Sequence, residues 1–329
     1  MKKIITLGLF FLWANIQLKA QVFDDFSDGN INVNPAWEGD DSLWQINSNY
    51  QLQSKGTSGS AKDICLSTRT NFQKNTEWRF SIQLNFSPSS QNFCRFYLAA
   101  DQINLKGNLN AYYIQFGGST GNTDSISLYK QEGAIRTRII AGRPGTLAKT
   151  NNSLAIKVLR DSLGNWILYS DTAANGNFAL EGNVFDTTFK STEYTGIFAR
   201  FTSTNVSNFY LDNLYIGEPI IDLNPSKIEN YSFINDSVIQ INFNERLDIN
   251  TANNINNFEL NYSFPVIVNT ELISDGKSIL VRFKNSFIST NNYILTVKNI
   301  SDLANNIMPD TNLSFWFYKP SIDDIVINE

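Results

Sequence analysis

Across residues 76–86 the chain alternates without a break: Trp78, Phe80, Ile82, Leu84 and Phe86 are apolar, and Arg79, Ser81, Gln83 and Asn85 between them are polar. A period of two puts the large apolar groups on one face of a strand and the polar groups on the other. Such a strand needs sheet neighbours on both sides and a second layer over its apolar face. The surrounding chain has the same character. Short apolar runs at 92–100, 111–116, 125–131, 135–141, 154–160, 165–170, 178–184 and 194–202 are separated by turn signals such as Gly117-Gly118, Glu132-Gly133, Pro144-Gly145 and Asn175-Gly176-Asn177. Beyond the N-terminus no stretch of ten or more residues holds a 3.6-residue apolar period. The spacing predicts an all-β chain built from two-sheet sandwiches.

A length of 329 residues suits about two domains. The run Phe209-Tyr210-Leu211, a polar Asp212-Asn213 step, then Leu214-Tyr215-Ile216, with Pro219 soon after, reads as the closing core strand of the first domain. That domain spans residues 21–217, and a Pro-bearing linker follows at 218–226. A smaller module spans 227–318, with strands expected at 231–234, 238–243, 258–262, 266–273, 278–283, 293–298 and 313–318. Asp275-Gly276 marks a tight hairpin between two of them. Seven short strands in so few residues are the pattern of an Ig-like sandwich.

Residues 1–20 have the layout of a secretory signal peptide: Lys2 and Lys3, an apolar centre from Ile4 to Trp13, and Leu18-Lys19-Ala20 before cleavage. The apolar centre is too short to span a bilayer, and no later segment is long enough, so no membrane insertion is expected once the signal is removed. The formal charge of −5, with no basic cluster, argues against nucleic acid as a partner. The chain has no histidine, which excludes Ser-His-Asp triads and His-ligated zinc. Glu38-Gly39-Asp40 begins like a paired-carboxylate motif but lacks its second glutamate, so no catalytic residue is assigned and the protein is read as non-enzymatic. Cys65 and Cys94 fall in strands of the first domain, and could be either one disulfide or two buried small apolar groups.

Phe23-Asp24-Asp25-Phe26-Ser27-Asp28-Gly29, Asn34-Pro35, Trp37, Thr76-Glu77-Trp78-Arg79-Phe80, Leu105-Lys106-Gly107 and Asp212-Asn213-Leu214-Tyr215-Ile216-Gly217 together resemble large secreted Bacteroidota surface proteins. In that family the first region is a concanavalin A-like (laminin-G-like) jelly roll. Phe243-Asn244-Glu245, Tyr293-Ile294-Leu295-Thr296-Val297 and Asp302-Leu303-Ala304-Asn305-Asn306 are similar to Ig-like domains of bacterial surface-layer proteins. Ile325-Val326-Ile327-Asn328-Glu329 is similar to the opening of a lamin-tail domain, which implies that 319–329 begins a further segment of a longer chain. Asp-Ser/Thr steps such as Asp41-Ser42-Leu43 and Asp161-Ser162-Leu163 resemble the O-glycosylation signal of these bacteria.

The resemblance implies a cell-surface or adhesion protein whose jelly roll takes glycan or another surface ligand, with the Ig-like module as spacer. It also leaves open an accessory region of a secreted hydrolase, or a purely structural sandwich. First and last strands often pair in jelly rolls, so Asp24, Asp25, Asp28, Asp212 and Asn213 could converge as hard oxygen ligands for calcium. For a glycan the candidates are Arg79, Gln83, Arg95, Tyr97, Tyr113 and Trp166.

Overall fold

The computed structural model describes residues 22–56, 62–70, 75–118, 123–189, 192–289 and 291–318. The signal-peptide stretch and the 319–329 segment lie outside the described residues. The chain divides between Ile220 and Ile221 into two compact units.

The first unit is two antiparallel sheets with a common core. One sheet runs, in spatial order, Ala179–Phe185, Asn165–Asp171, Asn152–Arg160, Thr76–Leu84, Phe209–Gly217, Leu52–Ser54 and Trp44–Ile46, with Val22–Asp24 also paired to Phe209–Gly217. The other runs Ile135–Ile140, Ile126–Glu132, Ala111–Phe116, Phe93–Ala100, Tyr194–Phe201, Lys62–Arg69 and Glu38–Gly39. The alternation across 76–86 does what a period of two requires. Trp78, Phe80, Ile82 and Leu84 are buried, while Arg79, Ser81 and Gln83 are half-buried on the far side. Phe80 stacks on Phe96 of the opposite sheet at 4.0 Å. The Trp78 indole donates to the Leu98 carbonyl at 2.9 Å, a hydrogen bond that ties the sheets together. The unit is a two-sheet antiparallel jelly-roll sandwich.

The closing strand Phe209–Gly217 explains its own polar step. Along one edge it pairs with Thr76–Leu84. Along the other it pairs first with Leu52–Ser54, through Tyr210 and Leu211, and then with Val22–Asp24, through Leu214, Tyr215 and Ile216. Asp212 and Asn213 sit where the partner changes, at a register shift. Asn213 adopts a φ of 52°, in the left-handed region that Asn tolerates better than most residues, and the Asp212 carboxylate accepts its N–H at 2.7 Å. The polar pair makes the bulge that lets one strand serve two partners.

Cys65 and Cys94 are both free thiols. Their strands are separated by Tyr194–Phe201, where Cys65 opposes Phe198 and Cys94 opposes Ala199. Cys94 packs into the core between the sheets and Cys65 into a cluster on the outer face, so the sheet itself lies between them.

The second unit is a smaller sandwich. Four strands run Ile228–Asn235, Val238–Phe243, Ser278–Phe283 and Ile267–Leu272, and three run Phe258–Leu260, Asn292–Val297 and Thr311–Trp316. The hairpin turn is held by the Asp275 carboxylate, which accepts from the Lys277 and Ser278 N–H groups and the Ser278 hydroxyl. Gly276 supplies the φ of 70° that the turn requires. A short helix, Ile249–Ala252, capped by Asp248 at the Thr251 N–H, was not expected from the sequence.

Candidate ligand-binding face

The seven-stranded sheet has one face in the core and one outside, and cross-strand register fixes which side chains share the outer face. One row across it is Phe198, Arg95, Gln115 and Ser127. The next is Gly196, Tyr97, Tyr113, Tyr129 and Arg138. A third carries Ala100, Ala111, Gln131 and Arg136. A tyrosine ladder thus crosses three adjacent strands, flanked by arginines.

Part of this face is roofed by residues 101–110. Gly196 makes room for the roof: a Cβ there would meet the Leu105 side chain at 2.9 Å and the Leu66 carbonyl at 2.2 Å. The Ser67 hydroxyl donates to the Ile103 carbonyl, the Gln131 amide to the Gly107 carbonyl, and the Lys106 ammonium pairs with Asp40 at 2.8 Å. Leu105 and Leu109 complete an apolar cluster with Phe93, Tyr97, Tyr113 and Phe198.

Beyond the roof the face is aromatic and cationic. Tyr113 and Tyr129 stack in parallel, with ring centroids 5.3 Å apart and an interplanar angle of 1°. The Arg95 guanidinium lies 5.0 Å from the Phe93 ring, 5.1 Å from Tyr113 and 5.2 Å from Phe198, and its Nε donates to Gln115 Oε1 at 2.9 Å. Tyr97 and Tyr113 are wholly buried, yet their hydroxyls lack a well-formed hydrogen bond among the described residues. Burial pushes both phenols up, and the positive charges of Arg95 and Arg136 only partly oppose it, so both stay protonated donors. Arg95, Gln115 and Tyr129 are half-buried and Arg136 and Arg138 exposed, which leaves them accessible.

The structure divides the sequence-derived candidates between sites. Arg95, Tyr97 and Tyr113 come together here, although the two tyrosines present no ring to solvent. Arg79 and Gln83 lie on the outer face of the other sheet, where Arg79 pairs with Glu77 and Gln83 donates to Asn85. They share no site with Arg95. Trp166 is corrected outright: it is fully buried, stacked on Trp78 at 5.6 Å and beside Tyr112 at 4.5 Å, with its indole N–H on the Asp186 carbonyl. A large ring flanked by Asn165 and Ile167 carries no local mark of which face it takes. Tyr129 and Gln115 carry no mark of this role in the sequence and are found only through cross-strand register.

The first-to-last strand pairing that the calcium expectation relied on is present, with Asp24 opposite Leu214, but Asp24, Asp25, Asp28 and Asp212 form no carboxylate cluster among the described residues. Their oxygens are otherwise engaged. Asp24 is buried and accepts from the Trp37 indole at 2.7 Å and the Phe26 N–H at 2.8 Å, although desolvation still raises its pKa. Asp25 accepts from Ser27, and Asp28 from Asn30. Desolvation also raises Asp212, whose carboxylate is capped by the Asn213 N–H.

Among the described residues the carboxylates that do gather are Asp222, Glu245 and Asp302 in the second unit, with ligand atoms within 4.8 Å of one another. Asp302 is buried and accepts from the Ala304 and Asn306 N–H groups and the Asn306 side chain. Desolvation, then the charges of Asp222 and Asp302, hold the Glu245 carboxyl above its usual 4.5. The folded state therefore binds this proton more readily than the unfolded chain, so this group costs stability in full above its folded pKa and ceases to do so as pH falls toward 4.5. Glu245→Gln is expected to raise the unfolding temperature of the second unit at neutral pH by on the order of 2 °C and to flatten its dependence on mildly acidic pH. Thermal scans of both proteins at several pH values check this, and parallel curves would contradict it.

Residues 221–317 match the bacterial Ig-like domain family. No curated protein matches the chain. The VIP36 exoplasmic/lumenal domain, in a Ca2+- and mannose-bound form, is similar at a TM-score of 0.48 and 9% identity, covering 61% of this chain and 91% of that one. A legume lectin-like domain from Entamoeba histolytica is similar at a TM-score of 0.42 and 12% identity, covering 56% and 90%. The carbohydrate-binding module CBM66 from Bacillus subtilis is similar at a TM-score of 0.36 and 12% identity, covering 54% and 92%.

Proposed function

We propose that the first unit is a glycan-binding module of an exported, non-enzymatic protein, and that sugar lies on the outer face of the seven-stranded sheet. The observation that carries this reading is the half-buried Tyr129 ring, stacked on buried Tyr113, whose ring lies 5.1 Å from the Arg95 guanidinium. An aromatic face held rigid from below offers a flat apolar platform with no ordering cost. A sugar ring presents just such a C–H face, and its hydroxyls need donors and acceptors at the rim, which Gln115 and the arginines supply. Binding without hydrolysis fits the charge pattern, because glycoside cleavage uses two free carboxyl groups. Three acids along this face, Asp63, Glu193 and Asp40, are paired with Arg200, Arg69 and Lys106. The Ig-like unit acts as a spacer at the cell surface.

The test is a glycan array probed with the full chain and with Tyr129→Ala. The expected result is binding to at least one glycan class, weakened about tenfold by the substitution, since a lost stacking contact costs roughly 1 kcal/mol or more. Silence across plant, algal and host glycans, or binding that ignores Tyr129, would overturn the reading.

A further inference from the structure

We infer that the ligand of this face is an anionic oligosaccharide, bearing carboxylate or sulfate groups, that runs across the strands; the inference rests on the glycan reading above and deepens it. The chain as a whole is acidic, and the first unit matches Arg69, Arg79, Arg143 and Arg200 to carboxylates of its own. Arg95, Arg136 and Arg138 are treated differently. None of the three pairs with a carboxylate among the described residues. Arg95 is steadied by neutral Gln115 and Arg136 by neutral Gln131, and Arg138 stands opposite Tyr129. Three cations are thus gathered on one face of an acidic protein and left without counter-charges.

Their placement suits an extended ligand. Arg95 and Arg138 lie on strands three steps apart in the sheet, which at the usual interstrand spacing separates them by about 14 Å. That is longer than one sugar ring and follows the direction of the Tyr97, Tyr113 and Tyr129 ladder. A chain with a charge on successive units would lay one ring on Tyr129, the member of the ladder with a ring open to solvent, and its anions against the guanidinium forks. Those forks match the planar carboxylate and the sulfate oxygens through paired N–H donors. The rings beneath Arg95 hold its guanidinium in place before the ligand arrives, by cation–π attraction and contact.

Calorimetric titration of the full chain with oligogalacturonate, a sulfated galactan oligosaccharide and a neutral manno-oligosaccharide of similar length tests this. At least one anionic ligand is expected to bind about tenfold or more tighter than the neutral one, with affinity falling as salt is raised. Preference for the galacturonate or the galactan then identifies carboxylate or sulfate as the charge recognised. The Arg136→Gln/Arg138→Gln double variant changes only exposed side chains and is expected to keep its melting temperature while losing about tenfold in affinity for the anionic ligand. Neutral oligosaccharide bound as tightly as charged, insensitive to salt and to the double variant but weakened by Tyr129→Ala, would overturn the anionic assignment and leave the glycan reading standing. No binding by any of the three, with silence on the array, would overturn both.

Discussion

Replacing Trp78 with alanine is expected to destabilise the first unit by about 3–5 kcal/mol, the range for truncating a large buried ring. Trp78 is fully buried at the centre of the sandwich and stacks on Trp166. Its indole N–H also crosses to the Leu98 carbonyl of the opposite sheet. Truncation therefore removes apolar burial, opens a cavity between rigid sheets and takes a donor from a buried carbonyl, and each of these costs separately. The melting temperature of this unit should fall by about 10 °C or more. Hydrogen exchange in the Thr76–Leu84 and Phe93–Ala100 strands assigns the loss to this unit. A fall of only about 2 °C would mean that the intersheet packing carries far less of the stability than its burial implies.

Phe287→Ala should have a comparable effect on the second unit. Phe287 contacts Phe283 at 4.7 Å, Tyr293 at 5.0 Å, Phe315 at 5.4 Å, Phe233 at 5.8 Å and Phe317 at 5.9 Å. Phe233 and Phe283 belong to the four-stranded sheet, Tyr293 and Phe315 to the three-stranded sheet, so this ring joins the two layers. It lies in the loop between Ser278–Phe283 and Asn292–Val297, where the next residue, Ile288, donates its N–H to the Tyr293 hydroxyl. Losing the ring should cost about 3–5 kcal/mol, and a smaller unit feels this as a larger drop in melting temperature, of about 15 °C or more. Denaturation monitored by the tyrosine near-ultraviolet signal reads it. An unchanged transition would show that Phe233 and Phe315 close the core without Phe287.

These cores were legible because their chemistry is local. The alternation across 76–86 shows on its face which residues are buried, and the Asp212-Asn213 step interrupts an apolar strand where only a bulge, a turn or a partner could account for it. The partner switch between Leu52–Ser54 and Val22–Asp24 is not legible there, because it depends on segments far away in sequence. The same limit governs the site. Arg95 and Tyr97 alternate with Cys94 and Phe96, so the sequence places them together on one face without saying whether that face is shared with Arg79 and Gln83. Only the assignment of Phe93–Ala100 and Thr76–Leu84 to different sheets separates the two groups. Trp166 was misplaced because tryptophan serves equally as core and as platform, and its neighbours do not decide between them. Asp222, Glu245 and Asp302 come from three separate loops, and no spacing in the sequence unites them.

The most direct test of the account is a hydrogen-exchange footprint of the full chain with the tightest-binding oligosaccharide from the array. Protection is expected across Phe93–Ala100, Ala111–Phe116, Ile126–Glu132 and Ile135–Ile140, the strands that carry the tyrosine ladder and its arginines. Protection centred instead on the opposite outer face, around Gln83 and Tyr210, or confined to the Ig-like unit, would contradict it.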